Sequence, residues 1–241
     1  MSSVQLDRGG ATRNNEAVTD TPPPRRMRKA EQRAETTEQI LDAAEALFSQ
    51  HGLYGVTLKD VAKQVGVHHT LLNYYFADKK ALFDAVFARR AVVTSERRMA
   101  ALDAYEREAA GKPTVEGALR AFLDTDLDTY IEGGDAWKNY AKLGAQVANT
   151  PEWGADLMDS HFDPVVLRLI ALLEQALPDC APEDIFWGYH FVTGALMLTL
   201  ARTGRIDKLS GGLCHSDDFA AVKDRMATFM AAGLLAICRK S

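Results

Sequence analysis

The segment from Val56 to Phe76 constrains the fold more than any other part of the chain. Its pattern predicts two short helices joined at Gly66, because glycine adopts the left-handed conformation at a helix end at little cost. Thr57 and Asp60 have the spacing of a capping box, with Asp in the position usually taken by Glu. Apolar residues then recur at helical spacing up to the glycine. The segment therefore predicts a helix-turn-helix.

The second of these helices carries side chains that suit a DNA major groove. Leu71 and Leu72 are predicted to face inward and anchor the helix. Asn73 has an amide that can pair with an adenine edge, and Thr70 can contact a base or a thymine methyl. Ring N–H and hydroxyl groups nearby can reach bases or phosphates. The DNA contacts predicted from this motif are Thr57, His68, His69, Thr70, Asn73, Tyr74 and Tyr75.

Charge is distributed unevenly along the 241 residues. The formal net charge of −5 argues mildly against non-specific binding to nucleic acid. Residues 25–90, however, hold 11 lysines and arginines against 8 acidic residues, whereas residues 91–241 hold 15 against 22. A basic part joined to an acidic body fits a DNA-binding module attached to a part that does not touch DNA.

Residues 1–32 are predicted to form a disordered tail, since most of them are polar and three consecutive prolines interrupt them. Arg25, Arg26 and Arg28 directly follow the prolines. They could be solvated charges, but their position before the helix-turn-helix favours an arm that contacts phosphates or a narrow minor groove.

The remaining chain predicts an all-α fold of about nine helices. Asp163-Pro164 is predicted to start a helix, because proline is favoured at the first helical position. A three-helix helix-turn-helix domain is expected at 33–93 and a larger helical domain at 94–241. The predicted helices lie at about 34–51, 57–65, 68–75, 78–105, 114–131, 135–149, 165–177, 183–203 and 216–238, with a glycine-bearing loop at 204–215.

Several classes of function lack support in the sequence. No stretch approaches the ~20 apolar residues of a membrane span, and the N-terminus lacks the apolar core of a secretory signal. Cys180, Cys214 and Cys238 show no metal-binding or redox spacing, and an odd, unpatterned count fits a reducing cytoplasm. We find no phosphate loop, nucleophile elbow or zinc helix. No catalytic residue, cofactor or metal site is therefore predicted.

Four blocks, in the right order and with the right gaps, resemble the DNA-binding domain of the TetR (AcrR-like) family of repressors. These blocks are Ile40–Phe48, His51–Thr57, Val61–Val67 and Tyr74–Phe83. The resemblance adds Lys79 as a phosphate contact. The family usually has Ser or Thr where His68 stands and Tyr where Asn73 stands, so the departures fall on groove-facing positions. The segment Asn73–Leu82 resembles the branch that includes regulators of fatty-acid degradation.

The last two long helices are apolar around most of their circumference, so each must be covered on several sides. One cover is the chain's own body, and a second copy is predicted to be the other. The resemblance implies the same arrangement, a two-fold dimer with a four-helix interface that suits a palindromic operator.

The family resemblance also implies a mostly apolar effector cavity in the body, and the branch suggests an acyl or lipid-like effector. The candidate ligand contacts are Trp137, Tyr140, Gln146, His161, His190 and Met197. An ordinary structural role is the alternative for each: His190 is predicted to be a hydrogen-bonded core histidine, and Met197 a gap-filler. The carboxylates of Asp124, Asp126 and Asp128 are predicted to form a solvated face.

The leading prediction is a cytoplasmic, ligand-responsive repressor in which the effector shifts the spacing or motion of the two DNA-binding domains. A sequence-independent architectural DNA binder is the first alternative, and the acidic body argues against it. An enzyme with an unrecognised site is the second.

Overall fold

The computed structural model describes the backbone of residues 25–239 and the side chains of residues 29–239. Within that range the fold consists of ten α-helices and no strand, which confirms the all-α class. The helices are α1 Arg25–His51, α2 Leu58–Val65, α3 His69–Tyr75, α4 Lys79–Ala109, α5 Val115–Glu132, α6 Gly134–Ala148, α7 Pro151–Ala176, α8 Pro182–Ala201, α9 Arg205–Leu209 and α10 Phe219–Cys238.

The start of α1 differs from the prediction. The helix begins at Arg25 rather than near Ala34, so residues 25–32, predicted as part of a disordered tail, are helical. These residues are rich in Arg, Lys, Ala, Gln and Glu, which have high helix propensity, and they extend the helix predicted from Ala34 toward the prolines. Residues 1–24 and the side chains of Arg25, Arg26 and Arg28 lie outside the described part, so the predicted arm stays a prediction.

The described part of the chain divides into two units, one up to residue 36 and one from residue 37 onward. The described part of the first is helical, and within it the Thr36 hydroxyl donates to the Gln32 carbonyl (2.8 Å). In the second, one apolar core runs from Ile40 on α1 to Leu234 on α10. The central helices of this core are α4 and α5: α4 packs on α5 and α7, and α5 packs on α10. The 31-residue helix α4 therefore reaches from the helix-turn-helix into the body.

The predicted helix start at Pro164 is wrong, because α7 runs unbroken from Pro151 to Ala176 with Pro164 inside it. A proline inside a helix removes one backbone hydrogen bond and costs ~3 kcal/mol. Here the buried side chains of Leu157, Val165 and Leu169 continue one helical stripe on both sides of the proline. Burial of that stripe against the core outweighs the local cost. The predicted loop at 204–215 likewise contains the short helix α9.

A disulfide joins Cys180 to Cys238, although their spacing shows no pairing pattern, so the cysteine count no longer supports the inference of a reducing cytoplasm. Cys180 directly precedes α8 and Cys238 ends α10, and these two helices pack against each other. The Cα atoms of the two cysteines are 4.8 Å apart. Cys214 is free and exposed. Because the two cysteines are 58 residues apart, local spacing in the sequence cannot indicate that they are in contact.

Across residues 25–239, none of the helices combines the length and the apolar character needed to cross a lipid bilayer.

Candidate functional sites

Local hydrogen bonds fix both ends of α2. The Thr57 hydroxyl accepts a hydrogen bond from the Asp60 amide (3.2 Å), and the Asp60 carboxylate accepts one from the Thr57 amide (2.9 Å). The Thr57 hydroxyl also donates to the Asp60 carboxylate (2.6 Å), and this bond, together with the one from the Thr57 amide, lowers the pKa of Asp60. At the other end Gly66 has a φ of 79°, and the amide of Val67 donates to the Ala62 carbonyl (3.0 Å). The predicted capping box and glycine helix end are both confirmed.

One face of α3 holds the helix on the domain. Leu72 is fully buried against the core, whereas Leu71, predicted to face inward with it, is only half-buried. His68 is the N-cap residue, and its Nδ1 accepts a hydrogen bond from the Thr70 amide (3.4 Å). The ring of His68 therefore helps to begin α3 as well as standing on its surface.

The other face of α3 and the start of α2 are exposed. Tyr75 and Lys79, also predicted as DNA contacts, are half-buried, and Tyr75 packs against the core. The Lys79 ammonium lies 5.9 Å from the ring centre of Tyr54, which is 77% exposed and which the sequence analysis did not select. Tyr54 stands in a glycine-flanked turn, where no local pattern marks its direction. We call the following exposed residues the recognition face: Thr57, His68, His69, Thr70, Asn73 and Tyr74.

A cavity of about 40 Å³ lies in the helical body among α4, α5, α6, α7 and α8. We call it the body cavity. An ion pair forms part of its wall: Nη2 of Arg98 on α4 lies 2.6 Å from Oδ2 of Asp126 on α5. The Tyr130 hydroxyl donates to the same carboxylate oxygen (3.2 Å). Most of the remaining wall is apolar, including Phe87, Phe122, Met158, Phe162, Leu196 and Met197.

Burial dominates the electrostatics of this wall. Arg98 is 5% and Asp126 is 3% exposed. Loss of hydration raises the pKa of Asp126, although the nearby Arg98 opposes the shift. Burial also raises the pKa values of the Tyr130 and Tyr140 hydroxyls, so both stay protonated. The Tyr140 hydroxyl lies 3.1 Å from Oγ1 of Thr94, within hydrogen-bond distance.

Of the six predicted ligand contacts, Tyr140 and Met197 line the body cavity, whereas Trp137, Gln146, His161 and His190 lie elsewhere. The Trp137 ring faces the guanidinium of Arg90 at 4.8 Å. The Gln146 amide donates to the Ser49 carbonyl on α1 (3.1 Å).

Neither of the two histidines predicted as ligand contacts lines the cavity. The His161 ring centre is 6.2 Å from that of Phe87 on α4, at the margin of the core. His190 is exposed beside Trp187 (5.6 Å between ring centres), so its predicted place in the core is wrong. On a helix that is apolar nearly all round, periodicity gives no indication of which face is inside.

The ion pair of the body cavity was missed because Asp126 was assigned to a solvated face. That assignment is wrong for Asp126, while Asp128 on the same helix is half-exposed and pairs with Lys223. Asp126 falls four residues after Phe122 and four before Tyr130, both of which are buried. Helical periodicity would have placed it on the apolar stripe of α5, and this was the signal available in the sequence.

Comparison with known families gives two matches, one over the helix-turn-helix and one over the helical body. Residues 40–86 match the family described as "Bacterial regulatory proteins, tetR family". Residues 120–233 match "Tetracyclin repressor-like, C-terminal domain", and together the two matches span more than half the chain. This chain belongs to the TetR family. TetR proteins are transcriptional regulators, so the prediction of a helix-turn-helix regulator rather than an enzyme is confirmed.

Curated relatives carry the same description. The HTH-type transcriptional regulator BetI of Escherichia coli O17:K52:H18 (strain UMN026 / ExPEC) is 24% identical over 178 residues, 74% of this chain and 87% of BetI. BetI of Shigella flexneri serotype 5b (strain 8401) is 23% identical over the same shares.

Solved structures of other regulators share the fold. The ketosteroid transcriptional regulator KstR2 of Mycobacterium tuberculosis superposes with a TM-score of 0.57 at 18% identity, covering 82% of this chain and 93% of KstR2. The fatty acid degradation regulator FadR from Bacillus halodurans gives 0.54 at 15% identity, covering 83% and 96%. At such low identity the likeness establishes the TetR fold and nothing finer.

Proposed function

We propose that this TetR-family regulator is a cytoplasmic homodimeric repressor that binds a palindromic operator and is released by a small apolar effector. Residues 33–93 would form its DNA-binding domain and residues 94–241 its effector-binding and dimerisation domain. The observation that carries the proposal is the two-sided build of α3: Thr70 and Asn73 are exposed while Leu72 is fully buried beneath them. Such a helix can present polar edges to a major groove without leaving its domain.

Exposed apolar side chains on α8 and α10 support a dimer through these helices. Phe191 and Leu198 on α8 are 53% and 68% exposed, and Phe229 on α10 is 71% exposed. Beside them, a methyl group added at Gly194 or Gly233 would meet no atom within 4 Å. A large exposed apolar patch with room for close helix approach is the usual mark of an interface. Two-fold pairing would place two recognition faces on half-sites ~34–36 Å apart or a multiple of that.

Helix α4 offers a direct route from the body cavity to the helix-turn-helix. Phe87 on α4 lines the cavity, and the ring of Phe83, one turn earlier, lies 5.1 Å from Phe48 on α1. The buried Glu45 on α1 also accepts hydrogen bonds from Arg89 and Arg90 on α4. An effector that binds one position of α4 more tightly than another would therefore shift the DNA-binding domain.

The apolar wall of the body cavity supports an apolar effector. Two of the structurally similar regulators are named for fatty acid degradation and for ketosteroids, and both names refer to apolar compounds. The acyl or lipid-like effector suggested by the sequence is therefore retained as part of the proposal.

Replacing Asn73 with alanine is expected to weaken operator binding by about 1–3 kcal/mol for each bidentate base contact that is lost, and to relax base preference at that position. Affinity for scrambled DNA should not change, because phosphate contacts remain. A genome-wide map of bound sites would supply the operator, and fluorescence anisotropy at fixed salt would measure both affinities.

The matched control for Asn73→Ala is Asn149→Ala, an exposed asparagine at the end of α6, which should leave operator affinity unchanged. Equal affinity of the unmutated protein for operator and scrambled DNA would contradict specific readout and favour the architectural DNA binder.

Phe229→Glu is expected to raise the dimer dissociation constant by about thirtyfold, which corresponds to ~2 kcal/mol, because each copy would bury an unpaired carboxylate in the interface. Sedimentation velocity over a concentration series measures this change. Leu167→Glu places the same charge on α7, at a leucine that is 58% exposed, and should leave the dimer intact. If both substitutions change the dimer dissociation constant equally, Phe229 on α10 does not lie in the interface.

A further inference from the structure

The ion pair in the wall of the body cavity is incompletely bonded. Oδ2 of Asp126 forms the ion pair with the Arg98 guanidinium and accepts a hydrogen bond from the Tyr130 hydroxyl. Oδ1 of Asp126 and Nε of Arg98 are buried with no hydrogen-bond partner among the residues that the structure describes. Most buried polar atoms in proteins are paired, so a carboxylate oxygen and a guanidinium N–H left over at one cavity call for an explanation. To complete both, a ligand must bring an acceptor for Arg98 Nε–H and share a proton with Asp126 Oδ1, and a carboxylate with one proton between it and Asp126 does so.

The charges of this pair discriminate between ligand classes. Arg98 and Asp126 together carry no net charge. A cationic ligand would add a positive charge that the site cannot remove, because arginine does not lose its proton in proteins. An anionic ligand can be neutralised, because the Asp126 carboxylate can take up a proton. Burial already raises the pKa of Asp126 toward that state.

We propose that the effector is a monocarboxylate with an apolar body, and that its carboxylate takes the place of Asp126 at Arg98 while Asp126 gains one proton. This inference rests on the proposed function of the body cavity as the effector site. The proton comes from solvent and binds the Asp126 carboxylate, which then donates a hydrogen bond to the ligand. No covalent bond of the ligand forms or breaks, and the site stays neutral, with one guanidinium, one carboxylate and one carboxylic acid.

Asp126 is the group in this site that is expected to change its protonation state, because the groups that face it do not. From α4 it is faced by Arg98 and by the more distant Arg97, and both are cations at any relevant pH. The hydroxyl of Tyr130 on its own helix and that of Tyr140 on α6 have raised pKa values and stay neutral. Helix α8 adds Tyr189 to the cavity wall, and the side chains that α7 contributes there are apolar: Met158, Phe162 and Val166.

The body cavity is so small that binding of an effector must move the helices around it. About 40 Å³ holds no more than a few water molecules, so an apolar acid must move the surrounding helices to enter. Met158 and Met197 have flexible side chains that can adapt to a ligand. Arg98, which would hold the carboxylate, is on α4, the helix that also supports the helix-turn-helix. Binding of the acid would therefore act on the element that carries the recognition face.

The test is calorimetric titration of the intact dimer with matched probes. Octanoate and phenylacetate are the carboxylate probes, octanol is the neutral probe, and octyltrimethylammonium is the cationic probe. We expect at least one carboxylate to bind at least tenfold more tightly than octanol and octyltrimethylammonium. Titration in buffers of different ionisation enthalpy should show uptake of up to one proton. Carboxylate affinity should then fall by up to about tenfold per pH unit as the pH rises above the Asp126 pKa.

Two pairs of variants isolate the site. Asp126→Asn should abolish the proton uptake, whereas Asp128→Asn, the same change two residues along α5, should leave it intact. Arg98→Gln should lower carboxylate affinity at least tenfold, whereas Arg97→Gln should not. If Arg98→Gln does not fold, the proton uptake of the unmutated protein and its loss in Asp126→Asn still decide the question.

The proposal is overturned if octyltrimethylammonium binds more tightly than both carboxylates, if neither carboxylate binds, or if Asp126→Asn keeps the proton uptake. Operator binding is measured separately without ligand. If the protein binds its operator but binds neither acid, only this inference is wrong. If it binds an acid together with one proton but binds no duplex, the proposed repressor function is wrong.

Discussion

Replacing Arg98 alone with methionine is expected to lower the free energy of unfolding by about 3–5 kcal/mol, because it leaves the Asp126 carboxylate buried without its counter-charge. The double variant Arg98→Met, Asp126→Leu removes both charges from the same site. It should recover most of the loss, since a buried pair replaced by apolar side chains of similar size is often neutral or stabilising. Urea unfolding at pH 7, followed by circular dichroism, measures both differences.

The control for Arg98→Met is Lys223→Met, which breaks the ion pair between Lys223 on α10 and Asp128 on α5. That pair also joins two helices, but its side chains are 33% and 46% exposed. Water screens such a pair, so the expected loss is about 0–1 kcal/mol. If Arg98→Met costs no more than Lys223→Met, the Asp126 carboxylate does not depend on Arg98 as a buried counter-charge.

The pH dependence of stability gives a second measure of the same pair. The pKa of Asp126 in the folded protein is raised above its ordinary value near 3.8. Its contribution to stability is therefore fully present below that value and is lost as the pH rises through the folded pKa. The stability difference between the unmutated protein and Asp126→Asn should thus move in favour of Asp126→Asn over this window. A difference that is constant with pH would contradict the raised pKa.

Reduction of the Cys180–Cys238 disulfide is expected to lower the free energy of unfolding by ~4 kcal/mol. The bond closes a long loop, and its main effect is to restrict the unfolded chain, an effect that grows with loop length. The 58-residue separation spans α8, α9 and α10, so the unfolded chain loses much of its freedom when the bond is present. Urea unfolding with and without a phosphine reductant measures the difference.

Cysteine variants separate the effect of the bond from a general effect of the reductant. Cys180→Ser, Cys238→Ser should show the lower stability under both conditions, and Cys214→Ser should behave as the unmutated protein, because Cys214 is free and exposed. Unfolded but unreduced protein should react with one equivalent of thiol reagent per chain, and reduced protein with three. Three reactive thiols before reduction would show that the bond is absent.

The helix-turn-helix and helix α5 show how far sequence patterns reach. The capping box of α2, its end at Gly66 and the burial of Leu72 all follow from residues a few positions apart, and all are found in the structure. Asp126 shows the limit. The sequence offered both a run of carboxylates and a helical stripe, and the choice between them depended on which helices cover α5.

Local chemistry was sufficient for the helix-turn-helix, the all-α class and the family resemblance. Caps, glycine helix ends and apolar periodicity are short-range interactions, and their partners are visible in the printed sequence. The path of α7 through Pro164, the exposure of His190, the Cys180–Cys238 bond and the Arg98–Asp126 pair were decided only when the helices packed. Each depends on burial or on contact between residues far apart in the chain, and the free energy of those contacts outweighs local preference.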